Sequence, residues 1–275
     1  MDLKLKDNVV VITAGTGGVG KELVKAFAAE GCYLAVTSTS QEKLDEFIPT
    51  VGIAPDHIKT YVVDMTVEAQ VKAFIDDAAA HYGRIDNLIV NQGNEGIRAL
   101  IEDADAAEWR HVFDVNVYGV LYAMKYAIPY MKKQGKGSIV VNCSDGAYMG
   151  SPGLSHYSAS KHACYGLVKS ATLELAPFGI HCNCICPGAH HRAKRLVRPC
   201  RCKQLDLFFK DFFHPDSSYL STIVFYQKVG TFPYIKTGDE MHLSSPSYQS
   251  SVVLSADTFP SSASSKLASN LALFK

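Results

Sequence analysis

The sequence predicts an α/β fold, a doubly wound parallel sheet covered by helices on both faces. Apolar runs and segments of helical period alternate six times between residues 8 and 188. The runs are apolar throughout, which is typical of strands that are buried on both faces. A glycine-rich segment joins the first run to the first helical segment, the connection expected where such a sheet begins.

The predicted elements follow in chain order. Apolar β-branched runs predict strands at 8–13, 32–36, 59–64, 86–91, 138–143 and 180–186. Helical periods predict helices at 18–30, 41–47, 67–82, 107–133 and 155–176. Ligands of such sheets bind at the carboxyl ends of the strands. That rule selects the strand-end residues Thr13, Ser38, Asp64, Asn91, Ser144 and Pro187.

Composition excludes several classes of protein. The 275 residues carry 27 Lys and Arg against 27 Asp and Glu, without the basic excess typical of nucleic-acid binders. No apolar run is long enough to span a membrane, and the charged N-terminus does not resemble a secretory signal. Eight irregularly spaced cysteines favour reduced thiols, so we expect a cytoplasmic protein without a disulfide framework.

A break in composition divides the chain near residue 189. Residues 1–188 hold 16 basic and 21 acidic residues, whereas residues 189–275 hold 11 and 6, and 18 of the 20 glycines precede the break. Serine supplies 11 of the 26 residues from Ser244 to Ser269. We expect a Rossmann-type domain at 1–189 and an atypical segment at 190–275, partly disordered with a Ser-rich tail.

The glycine-rich segment has the pattern of a dinucleotide-binding loop. Gly15, Gly17 and Gly20 give G-x-G-x-x-G between a strand and a helix. Glycines permit positive φ and close approach of the backbone to a pyrophosphate at a helix N-terminus. A tight turn without a ligand is the alternative. No acidic residue follows at the second strand end, where Ser38, Thr39 and nearby Lys43 favour NADP over NAD. Solvated turn residues without a cofactor contact are an alternative interpretation that fits this segment equally well.

A tyrosine and a lysine lie four residues apart at Tyr157 and Lys161. On a helix the two share one face, and a nearby ammonium favours the phenolate that proton exchange requires. Tyr165 and Lys169 repeat the spacing, but eight residues turn a helix by about 80° beyond two full turns. Since only the first pair has a strand-end partner, Ser144, we expect catalysis there.

Other patterns are interpreted as structural. Cys182, Cys184 and Cys186 alternate along the sixth strand, and same-face residues about 7 Å apart suit core packing better than a metal site. Cys200 and Cys202 lack a second ligand pair, and His190 and His191 are expected in solvent. No metal is predicted.

Taken together, the motifs of residues 6–188 resemble the short-chain dehydrogenase/reductase family. Residues 13–20 are similar to its T-G-x-x-x-G-x-G loop, with Ala14 in place of the first glycine and Gly15 able to supply the lost flexibility. Asn91-Gln92-Gly93 is similar to its N-A-G segment, and Pro187-Gly188 to its nicotinamide-flanking motif. Ser144 precedes Tyr157 by 13 residues, the family spacing.

The resemblance implies an oxidoreductase acting on a carbonyl or secondary alcohol. It implies Tyr157 as general acid and base, Lys161 as its activator, Ser144 as a hydrogen-bond partner of the substrate and Asn116 as support for a proton relay. It implies cofactor contacts at Gly15, Thr16, Gly18, Val19, Gly20, Ser38, Thr39, Asp64, Met65, Asn91, Gly93, Tyr157, Lys161, Pro187 and Gly188. A homodimer or tetramer through the helices 107–133 and 155–176 is also implied.

The resemblance ends after Gly188. We expect the usual seventh strand to be missing and the sixth to be an exposed edge, with residues 222–226 as the one candidate to pair there. A frame change or an alternative terminus is one hypothesis for this segment. The main alternative function is therefore an impaired or unstable dinucleotide-binding remnant, and a structural protein that borrows the fold is the other.

Overall fold

The computed structural model describes residues 3–187 with their side chains. Beyond them it describes the backbone of three short strands, Val224–Tyr226, Tyr234–Thr237 and Glu240–Leu243. The chain divides into two compact units, Met1–Tyr226 and Gln227–Lys275. Gly188, His190, His191, Cys200, Cys202 and the Ser-rich tail lie outside the described residues.

The first unit is built on a parallel sheet, and this confirms the predicted doubly wound α/β fold. Its strands are β1 (Val9–Ile12), β2 (Tyr33–Ser38), β3 (Ile58–Val62), β4 (Asn87–Val90), β5 (Gly137–Asn142), β6 (Ile180–Pro187) and β7 (Val224–Tyr226). Their order across the sheet is β3-β2-β1-β4-β5-β6-β7. The order reverses between β1 and β4, where ligands of such sheets bind.

Helices connect the strands, at positions close to those predicted. They are α1 (Gly18–Ala29), α2 (Gln41–Phe47), α3 (Glu68–Tyr82), α4 (Ala106–Phe113), α5 (Gly119–Gln134) and α6 (Ser155–Leu175). Single 3₁₀ turns occur at Ile48–Thr50, Pro55–His57, Ile101–Asp103, Asp145–Ala147 and Ala176–Phe178. Within the described part of the chain, no helix has the length and apolar character needed to cross a membrane.

The predicted long helix 107–133 is two helices joined by a π turn. The π turn covers Asp114–Tyr118, between α4 and α5. Within this turn the carbonyl oxygen of Asn116 accepts a hydrogen bond from Sγ of Cys164 in α6, at 2.6 Å. Sequence periodicity does not distinguish a π turn from an α-helix, because both continue the apolar face.

The outer edge of β6 is paired over its last three residues. Backbone register joins Ile185, Cys186 and Pro187 of β6 to Val224, Phe225 and Tyr226 of β7. This part of the edge, which was expected to be exposed, is therefore covered by a short strand from the candidate segment 222–226. At the opposite edge β3 is only half-buried, so the apolar interpretation of that strand overstated its burial.

The core lies on both faces of the sheet. One cluster packs α3, α5 and α6 against residues such as Val11, Leu88 and Val141. The other packs α1 against residues such as Val10, Leu34 and Val140. Cys182, Cys184 and Cys186 all lie in the first cluster, and this confirms their predicted core packing.

The second unit contains an antiparallel hairpin within its described residues. Strand β8 (Tyr234–Thr237) pairs with β9 (Glu240–Leu243), with Thr237 opposite Glu240.

Candidate active site

The loop after β1 owes its shape to an alanine. Ala14 has φ of +50°, whereas none of the four glycines at 15, 17, 18 and 20 has positive φ. The N–H of Ala14 donates to Oγ1 of Thr37 at 3.0 Å, and its carbonyl accepts from Nδ2 of Asn91 at 3.2 Å. The expectation that Gly15 supplies the lost flexibility is therefore wrong, since these two bonds hold Ala14 itself in the left-handed region.

The glycines of the loop serve close approach instead. A Cβ atom at Gly15 would lie 2.3 Å from Cγ1 of Val36, and one at Gly20 would lie 2.2 Å from the carbonyl oxygen of Ala14. These two positions pack the loop against β2 and against its own helix. A Cβ at Gly18 would meet no atom within 4 Å, so this backbone faces open space.

The N-terminus of α1 fits a phosphate group. Its N-cap residue is Gly17, which offers no side-chain hydrogen bond to the first N–H groups of the helix. Those N–H groups and the helix dipole favour an anion, and the absence of a Cβ at Gly18 lets one approach. Val19 is 40% exposed beside them, an apolar surface next to the anion position. The residues present therefore fit a dinucleotide pyrophosphate.

At the end of β2 the hydroxyl groups hold the loop. Oγ1 of Thr16 and Oγ of Ser38 are hydrogen-bonded at 2.8 Å, and Ser38 is buried. Thr39 and Lys43 are exposed. Of the two predicted hydroxyl contacts to a cofactor, the Ser38 hydroxyl is thus already engaged within the protein.

Three further predicted cofactor residues, Asp64, Met65 and Asn91, follow the ends of β3 and β4. Asp64 is exposed, and its carboxylate accepts from the backbone N–H and the hydroxyl of Thr66 at 2.9 and 2.7 Å. Met65 beside it is buried. Asn91 joins three strands, since its Nδ2 binds Ala14 and its Oδ1 accepts from Nδ2 of Asn142 at 2.9 Å.

Ser144 and Tyr157 meet across one glycine. A Cβ at Gly146 would lie 3.3 Å from Cε1 of Tyr157 and 3.6 Å from Oγ of Ser144. The Ser144 hydroxyl donates to Oδ1 of Asp145 at 2.9 Å and accepts from the N–H of Gly146 at 3.2 Å. The chain thus brings together a phenol and a hydroxyl that the sequence separates by 13 residues.

Lys161 is buried close to Tyr157. The side chain is only 3% exposed, and its Nζ donates to the carbonyl oxygen of Asn142 at 3.1 Å. The same Nζ is 5.8 Å from the centre of the Tyr157 ring. A Cβ at Gly93 would stand 3.4 Å from it, so the glycine leaves room above the ammonium.

Asn116 is completely buried behind Lys161. Its Oδ1 accepts from the N–H of Asn94 at 2.7 Å, and its Nδ2 donates to the Asn94 carbonyl at 2.8 Å and to Oγ of Ser160 at 2.9 Å. The predicted relay residue therefore positions the loop after β4 and the helix turn that carries Lys161.

Comparison with known proteins assigns this arrangement to a family. Residues 8–194 match the model of the short chain dehydrogenases. The chain belongs to this family. Levodione reductase of Leifsonia aquatica is 36% identical over 188 residues, which are 68% of this chain and 70% of the relative. Its crystal structure superposes with a TM-score of 0.65 over 67% of this chain and 72% of that one.

Two other solved structures are similar. ElxO with NADP bound is 31% identical with a TM-score of 0.63, over 66% of this chain and 73% of that one. An NAD⁺-bound xylitol dehydrogenase is 30% identical with a TM-score of 0.65, over 67% of this chain and 71% of that one. Because the chain is related to these reductases and dehydrogenases, it is an oxidoreductase of the short chain dehydrogenase family.

The second tyrosine-lysine pair of this dehydrogenase lies apart from the site. Nζ of Lys169 is 5.3 Å from the centre of the Tyr165 ring, almost the geometry of the first pair. Lys169 is exposed, however, and Tyr165 packs against the core. Burial raises the pKa of Tyr165, with smaller contributions from Cys184, Cys186 and Cys143. The first pair differs in burying its lysine.

Sequence reasoning about this dehydrogenase missed two supporting residues, Asn142 and Ser160, and gave the strand-end residue Thr13 no specific role. Asn142 binds both Lys161 and Asn91, Ser160 binds Asn116, and Thr13 accepts the N–H of Asn91 at 2.8 Å while donating to Oε1 of Gln92. A signal existed for Asn142, which ends β5 and so falls under the strand-end rule. No comparable pattern marks Ser160.

Proposed function

We propose that the chain transfers a hydride between a nicotinamide dinucleotide and a carbonyl or secondary alcohol. The observation that carries this proposal is the convergence of Tyr157, Ser144 and the buried Lys161 at the carboxyl ends of the sheet. A reacting oxygen between the phenol and the serine hydroxyl would contact a proton donor and a hydrogen-bond partner at once.

Tyr157 is the general acid in reduction and the general base in oxidation. The Lys161 ammonium lies close to the Tyr157 ring, and the Asn142 carbonyl holds it in place. Ser144 hydrogen-bonds the substrate oxygen after its hydroxyl turns from Asp145. Asn116 positions this group of residues by binding Ser160 and Asn94. A bound nicotinamide supplies or accepts the hydride.

The proposed cofactor residues are those that line the ends of β1, β2, β3 and β4. The loop 15–20 would hold the pyrophosphate, Asp64 and Met65 the adenine, and Asn91, Gly93 and Lys161 the nicotinamide-side ribose. Pro187 ends β6 at the same edge. Nucleotides occur in the solved relatives of this fold, NADP in ElxO and NAD⁺ in the xylitol dehydrogenase.

A preference for NADP over NAD is part of the proposal. The three residues directly after β2, Thr39, Ser40 and Gln41, carry no carboxylate that would repel a 2′-phosphate, and exposed Thr39 and Lys43 stand near. Titration with NADPH and with NADH, followed by fluorescence, tests this choice. Tighter binding of NADPH supports it, and tighter binding of NADH overturns it.

We also propose a homodimer or tetramer that uses α5 and α6, in a reducing cytoplasm. Tyr118 in the π turn and Leu121 of α5 expose large apolar side chains, and Leu173 of α6 is 78% exposed. The six cysteines of the described residues are free thiols, as such a compartment allows. Light scattering of the purified chain tests the assembly, and a monomer would contradict it.

Replacement of Tyr157 tests the catalytic proposal. In Tyr157→Phe we expect turnover of a ketone panel with NADPH to fall by about a hundredfold or more, while nucleotide affinity stays close to that of the unaltered chain. Tyr165→Phe is the matched control and should keep full activity. Full activity in Tyr157→Phe would contradict the mechanism.

An impaired dinucleotide-binding remnant is the second candidate. It is favoured by the family match ending at residue 194 of 275. The same assays separate the two, because nucleotide binding without turnover of any ketone or alcohol selects the remnant.

A further inference from the structure

A cluster of thiols lies beneath the candidate site. Cys143, Cys164, Cys182, Cys184 and Cys186 are all buried in the same core cluster, on the α6 side of the sheet. All five are free cysteines. The proposed hydride transfer uses none of them, so their concentration beside Ser144 and Pro187 calls for a separate explanation.

Cys143 and Cys186 are opposite one another on neighbouring strands. Asn142 pairs with Ile185, and the N–H of Cys143 donates to the Ile185 carbonyl at 2.8 Å, so the ladder continues one residue past β5. That register sets Cys143 beside Cys186 at the usual strand separation of about 4.8 Å. A disulfide requires Cα atoms about 4.4–6.8 Å apart, a range that includes this separation. Both side chains lie on the same face.

The thiol of Cys143 is the centre of the cluster. Cys164, Cys184 and Cys186 each interact with this thiol. Hydrogen bonds from Cys143 and then Cys184 lower the pKa of Cys186, with smaller contributions from the Ser144 N–H and the Lys161 charge. The same contacts, together with burial, raise the pKa of Cys184. The thiolate is the reactive form of either cysteine.

We propose that Cys143 and Cys186 are an oxidisable thiol pair that closes to a disulfide in the presence of hydrogen peroxide. The thiolate of one cysteine of the pair attacks one peroxide oxygen, the O–O bond breaks, and the departing hydroxide takes up a proton to leave as water. The resulting sulfenic acid is attacked by the sulfur of the other cysteine, its S–O bond breaks, and a second water leaves. The two thiols together lose two hydrogens, and one peroxide is reduced to two waters.

Geometry favours this pair over the neighbouring ones. Sγ of Cys164 donates to the Asn116 carbonyl at 2.6 Å, which holds that thiol toward the π turn. Cys184 pairs with Val141, and Cys182 with Ile139, so both stand further from the strand end than Cys186 does. Cys143 is the more exposed of the proposed pair at 5%, next to Ser144 in the cleft. Burial of both thiols predicts slow oxidation by a small reagent.

The bridge would join residues that support the site. Cys143 stands between Ser144 and Asn142, whose carbonyl holds Lys161, and Cys186 precedes Pro187. Closing it fixes the side chains of Cys143 and Cys186 next to Ser144 and Pro187. A loss of turnover on oxidation, restored by dithiothreitol, is the expected consequence, and this one expectation rests on the proposed function.

Trypsin gives a direct assay on the unaltered full chain. Cleavage after lysine and arginine yields peptide 137–161 with Cys143 alone, 162–169 with Cys164 alone, and 170–192 with the other three thiols. The chain is incubated with hydrogen peroxide, alkylated while denatured in acid, and digested without reduction. We expect 137–161 linked to 170–192, with fragmentation placing the bridge at Cys186 and dithiothreitol abolishing the link.

Matched variants complete the test. Cys143→Ser and Cys186→Ser should each lose the linked peptide. Cys32→Ser should keep it, since Cys32 lies in the other core cluster and donates to the Leu5 carbonyl at 3.2 Å. Absence of a link in the oxidised chain, or a link from 137–161 to 162–169 instead, overturns the proposal. The mass readout needs no turnover, so it stands or fails separately from the hydride-transfer function.

Discussion

The ammonium of Lys161 donates a hydrogen bond to the carbonyl oxygen of Asn142 at the end of β5, 3.1 Å away. This contact fixes the buried lysine of α6 to the central sheet, with the Tyr157 ring at 5.8 Å. Lys169 has the same sequence spacing to Tyr165, but its side chain is exposed to solvent, whereas that of Lys161 is buried. Burial on a strand end therefore distinguishes the two pairs.

Lys161→Met removes the charge and keeps the length of the side chain. We expect turnover to fall by about a hundredfold or more and nucleotide affinity to weaken, because Tyr157 loses the neighbouring ammonium and the cofactor ribose loses a donor. Lys169→Met is the control and should match the unaltered chain in both assays. Steady-state kinetics and fluorescence titration provide the measurements, and equal effects of the two variants would contradict the assignment.

Alanine at two glycines of the loop should have different effects. In Gly20→Ala the Cβ would stand 2.2 Å from the Ala14 carbonyl, so the loop must move and we expect a loss of about 1–3 kcal/mol in unfolding free energy. In Gly18→Ala the Cβ meets nothing within 4 Å, so stability should hold while nucleotide affinity falls. Urea unfolding and NADPH titration separate the effects. Unchanged affinity in Gly18→Ala would argue against a pyrophosphate there.

Ala14→Gly should stabilise the chain. Ala14 has φ of +50°, which costs a residue with a Cβ about 1–2 kcal/mol. Glycine removes that cost, and its greater freedom in the unfolded chain offsets about 0.4–1 kcal/mol. We expect a net gain of about 0.5–1 kcal/mol by urea unfolding. Ala26→Gly within α1 is the control and should lose a similar amount. A destabilised Ala14→Gly would refute the strain argument.

Asp86→Ala should destabilise the sheet. The Asp86 carboxylate is 7% exposed, accepts the N–H of Val9 at 2.9 Å and is paired with Arg84. Its removal leaves the Val9 N–H without an acceptor, at a cost of about 1–3 kcal/mol. Asp76→Ala, which removes a surface pair with Lys72, should cost about 0–1 kcal/mol. Equal losses in urea unfolding would show that burial does not govern the difference.

The alternation of strands and helices was predictable because local apolar periodicity encodes it. The contacts at the end of β2 were less predictable. The hydroxyls there suggested a cofactor contact, whereas Ser38 is engaged with Thr16, a residue 22 positions away. The π turn at Asp114–Tyr118 and the pairing of β7 with β6 also escaped a firm prediction. Each depends on a partner from elsewhere in the chain, which periodicity does not specify.

The sequence by itself determined the order of the elements, the glycine loop and the residue types of the site, since local pattern and spacing carry that information. Only the tertiary structure decided that Ala14 rather than a glycine adopts the left-handed conformation, that Asn142 anchors Lys161, and that Cys143 is adjacent to Cys186. These are contacts between strand ends and helices distant in the chain. Packing and register create them, and no short stretch of residues contains both partners.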